Sequence, residues 1–265
     1  VLVWTRTGKA VVLTVFGLVV TIVFLAPIAT VLAAALAGSW TGPLPSDLGI
    51  ANFRTALSGD GAASLSVSLQ TALLAGAVAL VLGTWAALAA RETPSWCRRL
   101  TDAVFHLPVA VPSVAIGLGV LIAFNERPLL LGGTKWIVIL AHSVLVLAYT
   151  FSAVGAALDR LDPGYRQAAQ SLGAGPVRVL TLVTLPLLLP ALGAAAGLSI
   201  ALSMGELGAT IMVYPASWRT LPVSIFAQTD RGEVFDAAAG TCLLVMVTLI
   251  ALMVLGRLRG RAAVR

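Results

Sequence analysis

The chain has 265 residues, 59% of them hydrophobic and 11% charged, with a mean hydropathy of +0.99. A soluble domain carries about a quarter of its residues as charges, so an ordinary soluble enzyme is excluded and an integral membrane protein is expected. The surplus of six positive charges would suggest nucleic acid in a soluble protein, but here the basic residues cluster beside apolar runs, as they do where a protein records its membrane orientation. The expected partner is therefore the lipid bilayer and not nucleic acid.

Taken in chain order, Arg6 and Lys9 precede an apolar stretch over 10–37, broken by Thr14, Thr21, Pro27 and Thr30. A cleaved signal has an apolar region of about 7–15 residues; this run is far longer and reads as an uncleaved signal-anchor span. Residues 38–63 are rich in Gly, Pro, Asp and Asn and read as a polar connection without helical periodicity. A second span is expected over 67–90, followed by a short basic linker with Arg91, Glu92, Pro94, Arg98 and Arg99. A third covers 107–124 with Pro108 and Pro112 near its start, since membrane helices tolerate proline where neighbours satisfy the freed carbonyls. After a polar loop over 125–135, Trp136 anchors a fourth span reaching 158. The fifth runs over 185–204, where Gly205 and Gly208 interrupt an apolar pattern that resumes through Ile211, Met212 and Val213; a longer, broken or re-entrant element fits equally. A sixth covers 237–255, and Arg257, Arg259, Arg261 and Arg265 follow. The expected fold is all-α and polytopic, about six spans forming one transmembrane domain over 1–265.

Six spans place both termini on one side. Twelve of the basic residues then fall on the terminal side and five on the other, so the termini, the Arg91 linker and the segment 159–184 are expected in the cytoplasm. Cys97 and Cys242 are far apart in sequence and support neither a disulfide framework nor a zinc site; they read as small packing residues.

The segment 159–184 is the least membrane-like after the first loop. Asp162 can cap a helix that starts at Pro163, and Gly173 can close it in a left-handed conformation. The helix between is too short to span and carries Arg166, Gln167, Gln170 and Ser171, so a cytoplasmic surface position follows. Ala168 and Ala169 keep its profile low. No Gly-x4-Gly-Lys-Ser/Thr loop surrounds either Lys9 or Lys135, so a phosphate-cradling loop of this kind is not expected in the chain.

Gln167, Ala168 and Ala169, then three residues and Gly173, then nine residues and Val183, Thr184, Leu185 and Pro186, resemble the EAA loop of bacterial ABC importer permeases. Gln167 stands where that pattern has glutamate and Val183 where it has isoleucine. The glutamine keeps hydrogen bonding but loses a charge toward the ATPase. The resemblance implies a type I importer permease fold with a coupling helix, here Tyr165, Arg166, Gln167, Ala168, Ala169, Gln170, Ser171 and Leu172 with Gly173 at its end. It also implies two ATP-binding subunits holding ATP and Mg, a second permease identical or homologous to this one, and an extracytoplasmic solute-binding protein. The chain itself would bind no cofactor or metal and catalyse no reaction, in a bacterial inner membrane. A simple amphipathic surface helix is the bland alternative.

Gly205, Glu206, Leu207, Gly208, Ala209 and Thr210, then Thr220, Leu221 and Pro222, together with Pro108, Pro112 and Gly117, are similar to the molybdate, sulfate, iron, thiamine and 2-aminoethylphosphonate permease group. The segments 106–119 and 221–239 are most similar to its 2-aminoethylphosphonate members. That likeness implies a phosphonate as solute, with molybdate or sulfate, iron, thiamine or polyamine as alternatives.

Glu206 is the acidic residue nearest the apolar core; it can line a path or gate and meet an ammonium group, or simply bond the backbone at a helix end. With it Ser203, Thr210, Pro112 and Ser113 form the expected translocation path or gate. His142 can relay a proton, bind a ligand or be satisfied by a neighbouring helix, and His106 reads as interfacial. Ser113 and His142 also invite an intramembrane protease reading, against which stand the missing Gly-x-Ser-Gly turn and the missing acid.

Overall fold

A proline inside a helix lacks an N–H and its ring crowds the carbonyl four residues back, so the preceding turn must give way. The computed structural model describes residues 5–262, with side chains to 257, and shows this response twice. Helix α1 (Arg6–Leu36) widens at Thr21–Leu25, where the Ala26 N–H reaches back five residues to Thr21 O, just before Pro27. The helix here numbered α8 (Pro176–Met204) does the same at Leu180–Thr184, with the Leu185 N–H on Leu180 O, just before Pro186.

The remaining elements are α2 (Ala51–Ala56), α3 (Gly59–Arg91), α4 (Ser95–Ala110), α5 (Ser113–Ala123), α6 (Lys135–Arg160), α7 (Pro163–Ser171), α9 (Gly208–Val213), α10 (Leu221–Asp230) and α11 (Val234–Ala262). Among the described residues five helices are long and apolar enough to cross a membrane, and α4 with α5 makes a sixth if that bent pair is one span. The third span is thus not a simple rod: α4 and α5 meet at 108°. Pro112 is the cause, because it forces an extended backbone on Val111 and starts α5 afresh. The connection over 38–63 is also more ordered than its composition suggests, since it contains α2 and the start of α3. Of the closing arginines, Arg265 lies outside the described residues, and so do the side chains of Arg259 and Arg261.

The chain divides into two compact units. One comprises Val1–Ala63 with Ser224–Leu243. Here Asn52 of α2 donates from Nδ2 to Ala35 O and Ala37 O at 3.0 and 2.8 Å, satisfying carbonyls left open at the end of α1. Ala34, Ala35, Ala56, Ala238, Ala239 and Leu243 form its core. At the turn before α11, Arg231 donates to both oxygens of Glu233 at 3.1 and 2.9 Å. That exposed hydrogen bond holds the Glu233 carboxyl below its ordinary value and raises Arg231.

The other unit, Ser64–Val223 with Leu244–Arg265, holds both candidate sites. Helix α3 turns a face of small residues inward, Ser64, Ser68, Thr71, Ala75, Ala79, Gly83, Ala87 and Ala90, at spacings of three and four. Small faces let membrane helices approach closely, where lipid removes any hydrophobic drive to associate. A Cβ on Gly83 would stand 2.9 Å from Thr150 Cγ2 of α6. Further contacts come from hydroxyls: the Trp218 indole N–H donates to Thr71 at 2.9 Å, and the Leu221 N–H to Ser68 at 2.7 Å.

Candidate functional site

Helix α7 begins as its residues dictate. Asp162 Oδ1 accepts from the Gly164 N–H at 2.8 Å, and Pro163, which has no donor to satisfy, occupies the first helical position. It ends as they dictate too. Gly173 has φ of 83°, and the Ala174 N–H reaches back to Ala169 O at 3.0 Å, a closure that a residue with a Cβ adopts at a cost. No side chain of α7 is buried; Tyr165 is 58% exposed and Leu172, just beyond the helix, 89%. All nine coupling candidates therefore lie on one short, accessible element and its closing turn.

That element is tied down at its flank. Arg166 Nη1 donates to Glu92 Oε1 at 2.6 Å, Arg98 Nη2 bonds both oxygens of Asp159 at 2.9 and 3.1 Å, and the Arg91 guanidinium donates to Leu158 O. The linker after α3 and the segment that the charge bias assigned to the same side thus meet at one end of this unit. Between α7 and the spans is a cavity of about 520 Å³, lined among others by Trp85, Tyr165, Arg166, Leu180 and the motif residue Val183.

The second cluster lies where two spans break. Helix α8 stops at Gly205 and the short α9 restarts at Gly208, with the Glu206 carboxylate accepting from the Ala209 N–H at 2.7 Å. Glu206 is thus bonded to backbone at a helix start, the bland reading of the sequence, and it also lines a cavity of about 190 Å³ with Ser113, His142, Tyr149 and Ser203. Helices α5 and α9 touch through glycine: a Cβ on Gly117 would stand 2.6 Å from Ala209 O, and one on Gly208 would stand 2.3 Å from Ser113 Oγ. Both breaks, at Pro112 and at Gly205, are therefore held against each other.

His142, with 1% exposure, contributes both ring nitrogens, Nδ1 to Ser203 Oγ and Nε2 to Thr210 Oγ1, each at 2.7 Å. Of the expected path residues Ser113, Ser203 and Glu206 line the cavity, Thr210 stands behind the imidazole, and Pro112 shapes α5 without lining it. Tyr149, not among the expected path residues, also lines the cavity; it follows His142 by seven residues, two helical turns along α6, and that spacing is the signal in the sequence. His106 is bonded rather than free, Nε2 to Ser152 Oγ and Nδ1 to Asp102 O, both at 2.7 Å.

Residues 79–261 match the family described as binding-protein-dependent transport system inner membrane component. Along its whole length the chain is similar to the "Putative 2-aminoethylphosphonate transport system permease protein PhnV" of Salmonella paratyphi A, with 45% identity over 260 residues, 98% of each chain. The molybdenum transport system permease protein ModB of Escherichia coli (strain K12) is 33% identical over 174 residues, 59% of this chain and 75% of its own. Among solved structures, a bacterial ABC transporter involved in the import of the acidic polysaccharide alginate matches 97% of this chain and 96% of its own, with a TM-score of 0.76 at 16% identity. The MetNI methionine ABC transporter matches 75% and 94%, with a TM-score of 0.61 at 17% identity. At such identities the likeness to these structures is one of fold.

Proposed function

The chain belongs to the family of binding-protein-dependent transport inner membrane components and is a membrane-spanning permease subunit of an ABC importer; on that premise we propose that its solute is 2-aminoethylphosphonate or a related phosphonate. The 45% identity to the Salmonella protein over 98% of both chains supports this choice. Molybdate is the second reading, favoured by the more distant ModB likeness.

In the proposed arrangement the chain pairs with a second permease above two ATP-binding subunits, and a binding protein delivers the solute from outside. Both termini and α7 face the cytoplasm. The chain catalyses nothing and binds no cofactor; ATP and Mg sit on the partners. What supports the coupling role is the exposure of α7 along its length, with Leu172 almost fully exposed at its end and the flank fixed by Arg166 and Glu92. When the ATP-binding subunits close, they move α7, and the spans rock between outward and inward access. The cavity at Glu206, Ser203 and Ser113 then lies on the solute path.

Two measurements test this. Candidate solutes are titrated against the cognate binding protein, and the loaded protein is then added to the complex in liposomes. Stimulated ATPase and uptake are expected with 2-aminoethylphosphonate; stimulation by molybdate alone would replace it. Ala169→Cys should crosslink to the ATP-binding subunit in the assembled, active complex, and the absence of a crosslink there would remove the coupling role from α7.

A further inference from the structure

One side chain spans the break between α8 and α9. His142, on α6, reaches Ser203 before the break and Thr210 after it, residues 61 and 68 positions away in sequence. One self-consistent set of directions follows from placing the Thr210 hydroxyl proton on the Glu206 carbonyl. Thr210 Oγ1 donates its single proton to Glu206 O, four residues back, at 3.2 Å. In that arrangement Thr210 accepts from Nε2, which carries the hydrogen. Nδ1 is left with a lone pair and accepts from the Ser203 hydroxyl. A chain of three bonds runs from Ser203 through the imidazole and Thr210 to the backbone of Glu206.

We propose that His142, held as the Nε2–H tautomer, is a positioning residue that sets the joint between α8 and α9 and thereby the state of the cavity beside Glu206. This rests on the reading that the cavity lies on the solute path. Three observations carry it. The imidazole is the bridge across a discontinuity, where backbone hydrogen bonds cannot fix the angle: Gly205 ends α8 and α9 has only six residues. It also lines the cavity, so any change of its bonds is felt at Ser203 and Glu206 directly. Finally, hydrogen bonds between membrane helices contribute only about 0.6 kcal/mol each on average, so this network counts chiefly for the geometry it specifies.

The test uses the complete importer in liposomes, with binding protein loaded with 2-aminoethylphosphonate, and reads solute moved per ATP together with ATPase in the absence of solute. His142→Leu keeps volume and removes both bonds. The expected result is a transport-to-ATP ratio about tenfold lower, with ATPase that no longer waits for solute, a loss within the usual range of coupling energies. His142→Gln, whose amide can still donate toward Thr210, should recover most of the ratio, and Thr210→Val should reproduce the His142→Leu defect without touching the ring. A wild-type ratio in His142→Leu overturns the proposal, and so does a proportional loss of uptake and ATPase. If His142→Leu does not assemble, the ratio in Thr210→Val decides. The path reading fails separately: it falls if Ser113→Trp, which would fill the cavity, leaves uptake unaltered.

Discussion

Gly117 and Gly119 stand two residues apart on α5 in opposite surroundings. A Cβ on Gly117 would press on the Ala209 backbone at 2.6–2.7 Å, whereas one on Gly119 meets nothing within 4 Å. Backbone cannot swing aside as a side chain can, so Gly117→Ala should lower stability by about 1–3 kcal/mol. Gly119→Ala should be neutral or stabilise by up to about 1 kcal/mol, because alanine loses less backbone freedom in a helix. Thermal unfolding of the two variants in detergent checks the contrast; equal midpoints would deny the α5 and α9 contact. At this scale the sequence was partly readable. Asp162 and Gly173 carry their roles in their chemistry and lie near the atoms they serve. His142 does not: its partners lie on other helices, and no local pattern names them.

Among the elements, α7 was legible because a cap, a proline and a closing glycine act within the twelve residues 162–173. Asp162→Ala should cost that helix about 1 kcal/mol. It should reduce solute-stimulated ATPase more than it reduces complex assembly, measured by co-purification; equal losses would mean that the cap matters only for folding. The break at 108° between α4 and α5 was not legible in the same way. Hydropathy sums composition over a window, and a bent pair of half-spans has the same composition as a straight helix. Pro112 was visible, but proline in a membrane helix is compatible with a mild kink, a wide turn or a full break. Pro27 and Pro186 took the second course, Pro108 sits within α4, and Pro112 took the third.

For the molecule as a whole, the distribution of charge carries the orientation. Twelve basic residues against five predict that the Arg91 linker faces the cytoplasm and the 38–63 segment does not. In a chain with Cys97 and Cys242 replaced by serine, an impermeant maleimide added to whole cells should label Asp60→Cys and spare Thr93→Cys. The reverse pattern would invert the topology. The class of the protein was legible because composition decides it, and the capped surface helix α7 because local spacing does. The cavity beside Glu206 was not, because two separate breaks must meet in space before Ser113, Ser203 and Glu206 share it.

The two ion pairs beside α7 have a mechanical meaning. A short helix held only by its chain ends would pivot when pushed. Arg166 on Glu92 braces it sideways against the linker after α3, and Arg98 on Asp159 ties α4 to the end of α6, from which the chain enters α7. Each brace is about half exposed, with side-chain accessibilities of 45–61%, and contributes no more than about 1 kcal/mol. Such struts are stiff in dilute buffer and soften as added salt screens them. On the proposed coupling role, solute moved per ATP in liposomes should therefore fall gradually with added salt while the thermal unfolding midpoint stays unchanged.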